Sequence, residues 1–415
     1  MRGHGGTPST AYEPLLAGYL ALGMGVGPLT HYALSALGPL VVSDLGLSAT
    51  EFGGLWLVAF GTAAACTPGF GRLTDHLGAQ RMLRLTFVCA GAAMVAVSMS
   101  HSLVPLVLGV GLAGMAVASS NPATNLAVAG SVTVGRQGLV VGAKQSGVQA
   151  SQLLAGLALP GLAVVLGWRV AILLCGALAV LGFAATRWVV GPAAPRAARA
   201  GAPRAAMDPS VWWLATYALV TGAVIQATNV YLPLYAHDVL GHSVSEAGLV
   251  SATLGGTGVL ARLVWGRVMD RILDTPSLLT GLAVLAGVGL AVCGLAAAVS
   301  DLMVWLGAAI FGASALAANV VIMMTVVRTA PSGSVGRATG WTSLGLYAGF
   351  MVGPLTFGMF VDSAAGYRGA WSYLCALTVI LVVITACWKQ FGRHADDASG
   401  SEAARAGAGG ARGPG

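Results

Sequence analysis

Charge is what this chain has least of. Charged residues make up 8% of its 415 positions, against about 25% in a soluble domain, and the mean hydropathy is +0.81. A soluble globular protein is thereby excluded, and the chain reads as a polytopic membrane protein. It has no Gly-x-x-x-x-Gly-Lys-[Ser/Thr] loop, so it carries no ATP motor of its own. It has no His-Glu-x-x-His or other clustered catalytic set, so no enzyme, metal site or cofactor is expected. The six cysteines (66, 89, 175, 293, 375 and 387) fall inside apolar segments without Cys-x-x-Cys spacing and read as small core residues. The polar, glycine-rich stretch 1–13 runs directly into an apolar segment, so the first segment is expected to stay as an anchor. The formal charge of +7 comes from basic residues scattered over turns, which fits membrane topology and not a nucleic-acid surface.

Spanning helices need about 20 mostly apolar residues. Such segments are expected at 13–38, 51–71, 81–100, 103–131, 137–165, 169–189, 211–235, 246–266, 277–299, 302–327, 334–361 and 369–391. They divide into an N-terminal six-helix lobe (1–190), a Pro/Ala/Arg linker (191–210) and a C-terminal six-helix lobe (211–391), followed by a Gly/Ala-rich tail (392–415) expected to lack structure. With both termini in the cytoplasm, all of the 21 Lys and Arg except Arg169 and Arg368 fall on the inner side, as basic residues do in cytoplasmic loops of plasma-membrane proteins. Tryptophans 168, 188, 212, 213, 371 and 388 sit near segment ends, as an interfacial belt does.

The chain also repeats itself. Gly71-Arg-Leu-Thr-Asp75-His-Leu-Gly78-Ala-Gln-Arg81 lies between the second and third segments, and a shortened copy, Gly266-Arg-Val-Met-Asp270-Arg271, follows the eighth. The same shift of 195 residues carries Gly46 onto Gly241, Ser48 onto Ser243, Glu51 onto Glu246 and Gly53 onto Gly248 without a gap. Self-similarity at half the chain length indicates a duplicated unit and a two-lobed transporter. Gly71, Leu73, Asp75, Gly78 and Arg81 match the G-x-L-x-D-[RK]-x-G-x-[RK]-[RK] signature of the major facilitator superfamily, which the chain resembles; His76 and Gln80 depart from it. The resemblance implies twelve helices in two pseudo-symmetric lobes. It implies a central cavity lined by helices 1, 4, 7 and 10 with contributions from 2, 5, 8 and 11. It further implies a gating motif that braces the outward-facing state.

Polar side chains inside hydrocarbon are costly and mark candidate pathways. The fourth segment carries Asn121 and Asn125, spaced i, i+4 on one face. The fifth carries Lys144, then Gln145, Gln149 and Gln152 as one stripe. Asn319 lies opposite Asn121 in the duplicated half, Tyr347 is on the eleventh segment, and His31, Gln226 and Asn229 are outer-half polar groups. These are the candidate cavity residues, although Asn and Gln also glue helices together. Lys144 either faces the cavity and attracts an anion or snorkels to the surface. Arg262 reads as a snorkelling or gate-bracing residue near Asp270. No Asp or Glu lies well inside a span, so His31 is the one embedded group that could carry a coupling proton near neutrality. Glycine stripes at 23/27 and 345/349/353 permit close helix approach, either static or sliding.

The expected activity is gradient-driven secondary transport of a small organic solute, with an organic anion preferred because the embedded charges are basic. The expected partners are that solute, a coupling proton or counter-substrate, and the bilayer, around a monomer. Efflux of a drug-like or secondary-metabolite compound is the alternative, and a membrane-bound enzyme or non-transporting sensor is more remote. Two departures lower the efflux reading. No arginine occurs between Arg84 and Arg136, and Leu157 follows Gly156 where the antiporters that the chain resembles have proline.

Overall fold

The computed structural model describes residues 12–133, 136–191, 209–268, 274–329 and 335–409. Twelve helices run in order through them: α1 (Tyr12–Ala36), α2 (Gly38–Leu45), α3 (Ala49–Ser98), α4 (Leu103–Ser131), α5 (Gln137–Leu166), α6 (Trp168–Val189), α7 (Ser210–Asp238), α8 (Val244–Val268), α9 (Thr275–Val299), α10 (Leu302–Thr329), α11 (Val335–Asp362) and α12 (Gly366–Gly409). Helix bundles of this kind are the form in which a chain can satisfy its backbone groups inside hydrocarbon.

The helices correspond to the twelve expected spans, with two differences of detail. The first span is broken: α1 and α2 meet at 68° around Leu37, where Pro39 in the first turn of α2 has no N–H to continue the α1 ladder. The second and third spans, expected as separate helices flanking a polar turn, form one run of 50 residues in which Gly78 alone is non-helical (φ 78, ψ 165). Only glycine adopts that conformation without strain. It reverses the chain: Val58 and Thr62 lie beside Gly111 of α4, while Val97 and Ala96 lie beside its neighbour Gly109. Gly71 and Asp75 of the signature are thus the last turns of one span, Gly78 is the hinge, and Arg81 opens the next.

Nine of the described helices are long and apolar enough to cross a membrane, and the bent α1–α2 pair makes a tenth. Division of α3 at Gly78 adds another, and α8, 25 residues long and diluted by Ser251, Thr253 and Thr257, completes twelve. The tail expected to be unstructured is helical to Gly409; 392–409 contains no proline to stop a helix, and Ala is its commonest residue.

The duplication is visible at the level of single hydrogen bonds. Ser48 and Glu51 close a capping box at the start of α3, with Ser48 N–H donating to Glu51 Oε2 (2.9 Å) and Glu51 N–H donating to Ser48 Oγ (3.1 Å). Ser243 and Glu246 repeat it at α8, at 2.8 and 3.3 Å. Each is preceded by a glycine of positive φ, Gly46 at 62° and Gly241 at 71°. Those positions lie at the distal end of the bundle. Both termini of the helical body, Tyr12 and the Phe391 turn of α12, lie at the other, proximal end, where Arg136 pairs with Glu13 and Phe391 meets Trp213. Linker residues 192–208 lie outside the described residues, as do Asp270 and Arg271.

Within each lobe, packing is by close backbone approach. A Cβ on Gly345, Gly349 or Gly353 of α11 would stand 2.0–2.3 Å from a carbonyl oxygen of α7, namely Ala215, Leu219 and Ala223 in turn. The stripe therefore cements two helices of one lobe and is not a sliding surface between lobes. Gly27 makes a similar approach between α1 and α4, its Cβ position lying 2.9 Å from the Val117 nitrogen, whereas Gly23 meets only side chains, the nearest being Leu83 of α3.

Candidate functional site

The lobes meet along two helix pairs, α3 with α11 and α5 with α8, and the contact changes character from end to end. Distally it is tight. The Asp362 carboxylate, at the end of α11, accepts from the backbone N–H groups of Ala49 (3.1 Å) and Thr50 (2.7 Å), the free donors of the first turn of α3. Tyr231 of α7 donates its hydroxyl to the Ala49 carbonyl. A Cβ on Gly53 would lie 2.4 Å from the Pro354 carbonyl oxygen, and one on Gly358 2.5 Å from that of Ala49. On the other pair, Gly156 and Gly248 face each other across the seam, beside Pro160. Gln152 then donates to Asn229 across the lobes (3.0 Å), both side chains being buried. Gln226, one turn away on α7, is buried as well.

The middle of the seam is aromatic on one side and polar on the other. His31 of α1 stacks on Phe60 of α3 (centroids 5.4 Å), and Phe60 stacks in turn on Tyr347 (6.0 Å) and contacts Phe350 (4.8 Å) of α11. His31 Nε2 is buried without a hydrogen-bond partner. Gln149 lies against Gly258 of α8, its Oε1 also buried and unpartnered, and Asn319 of α10 has an unpartnered Oδ1. Arg262 of α8 reaches over to α5, where Nη1 donates to the Gln145 carbonyl oxygen (3.2 Å). Its Nε has no hydrogen-bond partner among the described residues. Arg262 is thus not snorkelling, and the expected bracing at Asp270 lies outside the described residues. It spans the two lobes, because a side chain of a helix points toward that helix's N-terminus, which for α8 is away from the proximal surface.

Lys144 is fully buried, and its ammonium is bound by side chains of α4: Asn121 Oδ1 at 3.2 Å, Thr124 Oγ1 at 2.9 Å and Asn125 Oδ1 at 2.7 Å. All three of its donors are used, and it turns into the lobe instead of snorkelling. The cause is local: α5 lies on α1 so closely that a Cβ on Gly147 would be 2.0 Å from the Ala21 carbonyl oxygen, which leaves α4 as the nearest polar surface. No carboxylate pairs with Lys144 or with Arg262 among the described residues. The structure brings Lys144, Asn121 and Asn125 together. It keeps Gln149, His31 and Tyr347 along the seam as separate groups, holds Asn319 on α10, which packs on helices of its own lobe, and joins Gln152 with Asn229 at the distal part of the seam.

The signature turn stands apart from these groups. Asp75 is exposed at the proximal end and has no hydrogen bond or ion pair among the described residues, and Arg81 is exposed too. Below Phe60 and Tyr347 both seam helices carry exposed residues, Thr67, Pro68 and Gly69 on α3 and Gly340, Trp341 and Leu344 on α11. The hydrogen bonds that cross the seam lie at its distal end and, at Arg262, in its middle, and the residues named proximal to them are exposed. Sequence reasoning missed the contacts that define it, Asp362, Phe60 and the crossing of Arg262. Only Arg262 carried a signal, as a charge inside an apolar segment.

Comparison with known proteins places this arrangement. The family model described as Major Facilitator Superfamily matches residues 20–347. The "Probable nitrate/nitrite transporter NarK2" of Mycobacterium tuberculosis is 30% identical over 205 residues, which is 48% of this chain and 49% of that protein. The chain thus spans about half the length of the first curated relatives it matches. "Monocarboxylate transporter 11" of Homo sapiens is 27% identical over 90% of this chain and 84% of that protein. Among solved structures, a bacterial homologue of the human lysosomal transporter Spinster superposes with a TM-score of 0.72 at 16% identity, covering 91% of this chain and 96% of that one. A nucleoside transporter superposes with 0.71 at 12% identity, over 90% and 99%. These two likenesses are of fold.

Proposed function

From the premise that this chain belongs to the Major Facilitator Superfamily, we propose that it is a secondary transporter that moves a small organic anion by alternating access. The observation that carries the reading is the pair of embedded cations, Lys144 and Arg262, which have no carboxylate partner among the described residues. Removing such charges from water is expensive, and a membrane protein that keeps them unpaired gains most when an anion completes the site. The aromatic wall of His31, Phe60, Tyr347 and Phe350 suits the apolar body of an organic anion. The names of the relatives, a nitrate/nitrite transporter and a monocarboxylate transporter, agree with that charge.

The protein is read as a monomer in the plasma membrane with both termini in the cytoplasm, following its basic residues. On that orientation the distal seam is the outer gate, closed, and the cavity opens inward. His31, with a free Nε2 beside Phe60, is the group through which a coupling proton would act; exchange for a counter-substrate is the other source of drive.

The test is a binding screen on the purified full chain with pyruvate, nitrate, glucose and tetraphenylphosphonium. Pyruvate should stabilise the wild type against heat, and Arg262→Gln should weaken that binding at least about tenfold, as expected for a charge-assisted hydrogen bond of 1.5–3 kcal/mol. Stabilisation by tetraphenylphosphonium and by none of the anions would favour efflux of drug-like cations and end the anion reading.

A further inference from the structure

A lysine can only donate hydrogen bonds, whereas an asparagine carboxamide presents an acceptor at one end and two donors at the other. The contacts of Lys144 therefore settle which way two amides face. Because its ammonium donates to Asn121 Oδ1 (3.2 Å) and Asn125 Oδ1 (2.7 Å), both oxygens are turned toward the lysine and both NH2 groups away from it. Neither Nδ2 has a hydrogen-bond partner among the described residues. Asn121 is half-buried and Asn125 exposed. They do not share the lipid-facing stripe of α4 that runs through the exposed Val104 and Leu108. At 3.6 residues per turn Asn121 lies about 100–140° and Asn125 about 60–100° from those two residues, toward the side occupied by Lys144 and, further along the helix, by Thr62 of α3.

We infer that Lys144 is a positioning residue: it converts Asn121 and Asn125 into a donor-only pair that holds the planar oxyanion head of a substrate in the proximal, cytoplasm-facing half of the pathway. Spaced i, i+4, the two side chains are neighbours on the helix surface, so one oxyanion can accept from both. The buried ammonium adds its field without touching the ligand, since its three protons are already given to Asn121, Thr124 and Asn125. A fixed donor pair costs less on binding than two free amides, which would each have to choose an orientation. This station rests on the anion reading above and is distinct from Arg262, which belongs to the other lobe.

The experiment measures pyruvate and nitrate affinity of the full chain in detergent, together with the unliganded melting temperature, for four forms besides the wild type. Lys144→Met should weaken both anions at least about tenfold, and Lys144→Arg, which keeps a donor-only cation, should recover most of the loss. Asn125→Asp is the decisive form, since it keeps the shape and strengthens the Lys144 contact while replacing the NH2 by an acceptor. Its melting temperature should hold or rise while anion affinity falls at least about tenfold. The fourth form, Arg262→Gln, separates the two ideas. If the wild type binds neither probe, the anion reading falls and this inference with it. If Arg262→Gln weakens binding while Asn125→Asp and Lys144→Met lower only the melting temperature, Lys144 is a packing residue and the inference alone is overturned.

Discussion

At the distal end of the inter-lobe seam, glycines of one lobe stand against backbone of the other, and a carboxylate of α11 caps the first turn of α3. At the proximal end, the acidic residue of the signature, Asp75, is exposed and unbonded. Both ends use the same two devices, small residues and a charge beside a helix terminus, but only one end has them engaged. A seam that had to open and close could not afford strong contacts at either end. The distal set is accordingly one of short-range steric fit plus four hydrogen bonds, each of modest net worth. On the alternating-access reading proposed above, the difference between the ends is one state of two, and substitutions at one end should act on the balance of states without touching the binding groups proposed between them.

The largest effect is expected at Gly53. A leucine there would drive its Cβ into the Pro354 carbonyl and the Tyr231 hydroxyl, at 2.4 and 2.5 Å from where it must sit. Overpacking costs about 1–3 kcal/mol, and here most of it falls on the distally closed state. Gly53→Leu should therefore shift the population toward the distally open state by roughly ten- to a hundredfold. Spin-label distances across the two ends would report it, and an unchanged distance distribution would show that the seam is not the gate.

Asp362→Asn should act in the same direction with less force. The carboxylate holds the Ala49 and Thr50 N–H groups at the positive end of α3, an arrangement worth about 1 kcal/mol. Asparagine keeps one acceptor and loses the charge. A three- to tenfold rise of the distally open population is expected, on the order of that energy, read by labelling of cysteines placed on the distal side. Combined with Gly53→Leu, the two should add less than fully, because they break one interface.

How much of this was legible in the sequence depends on the range of the interaction. The duplication and the twelve spans followed from periodicity, and Lys144, Asn121 and Asn125 stood out as polar residues in apolar runs, which are local signals; that the lysine bonds to both asparagines was not among them. Asp362 capping α3 joins residues more than 300 apart. Nothing around Asp362 distinguishes it from any acidic residue at a helix end. Arg262 was visible as an embedded charge, but its direction was set by the side-chain lean of α8 and the proximity of α5, which no spacing encodes. The continuity of α3 through its polar stretch was hidden for a different reason: residues 72–77 look like a loop by charge, yet a single Gly78 suffices for the reversal.

Asp75 offers the counterpart at the open end. In the state seen here it bonds to nothing among the described residues, so Asp75→Asn should leave anion affinity in the proximally open state within about twofold, the expected scale for an exposed charge. If its partner forms when the proximal end closes, the variant lowers the population of that state and with it turnover, by about fivefold for a contact of about 1 kcal/mol at a helix end. Affinity and turnover measured separately decide the point. Lost affinity with unchanged conformer populations would move Asp75 from the gate to the binding path.

The smallest effect is expected at Asp44, and it sharpens the comparison because Asp44 also lies at the distal end but bonds only within its own lobe. It pairs with Arg169 at 2.8 Å and accepts from Trp168 Nε1 at 3.3 Å. The hydrogen bond from Arg169, joined by that from Trp168, holds its carboxyl below the ordinary value. A depressed folded-state pKa stabilises the protein above the unfolded carboxyl value of about 3.9, and the contribution is lost as pH falls through the folded value. Asp44→Asn should therefore melt slightly below the wild type at pH 7, by no more than about 1 kcal/mol for so exposed a pair, and the difference should begin to shrink below about pH 4 and vanish once the pH lies below the folded-state value. Because no atom of this pair crosses the seam, the balance between open and closed states should not move at any pH. A change in spin-label distances in Asp44→Asn comparable to that of Asp362→Asn would mean that distal charge as such, and not the cap across the lobes, sets access.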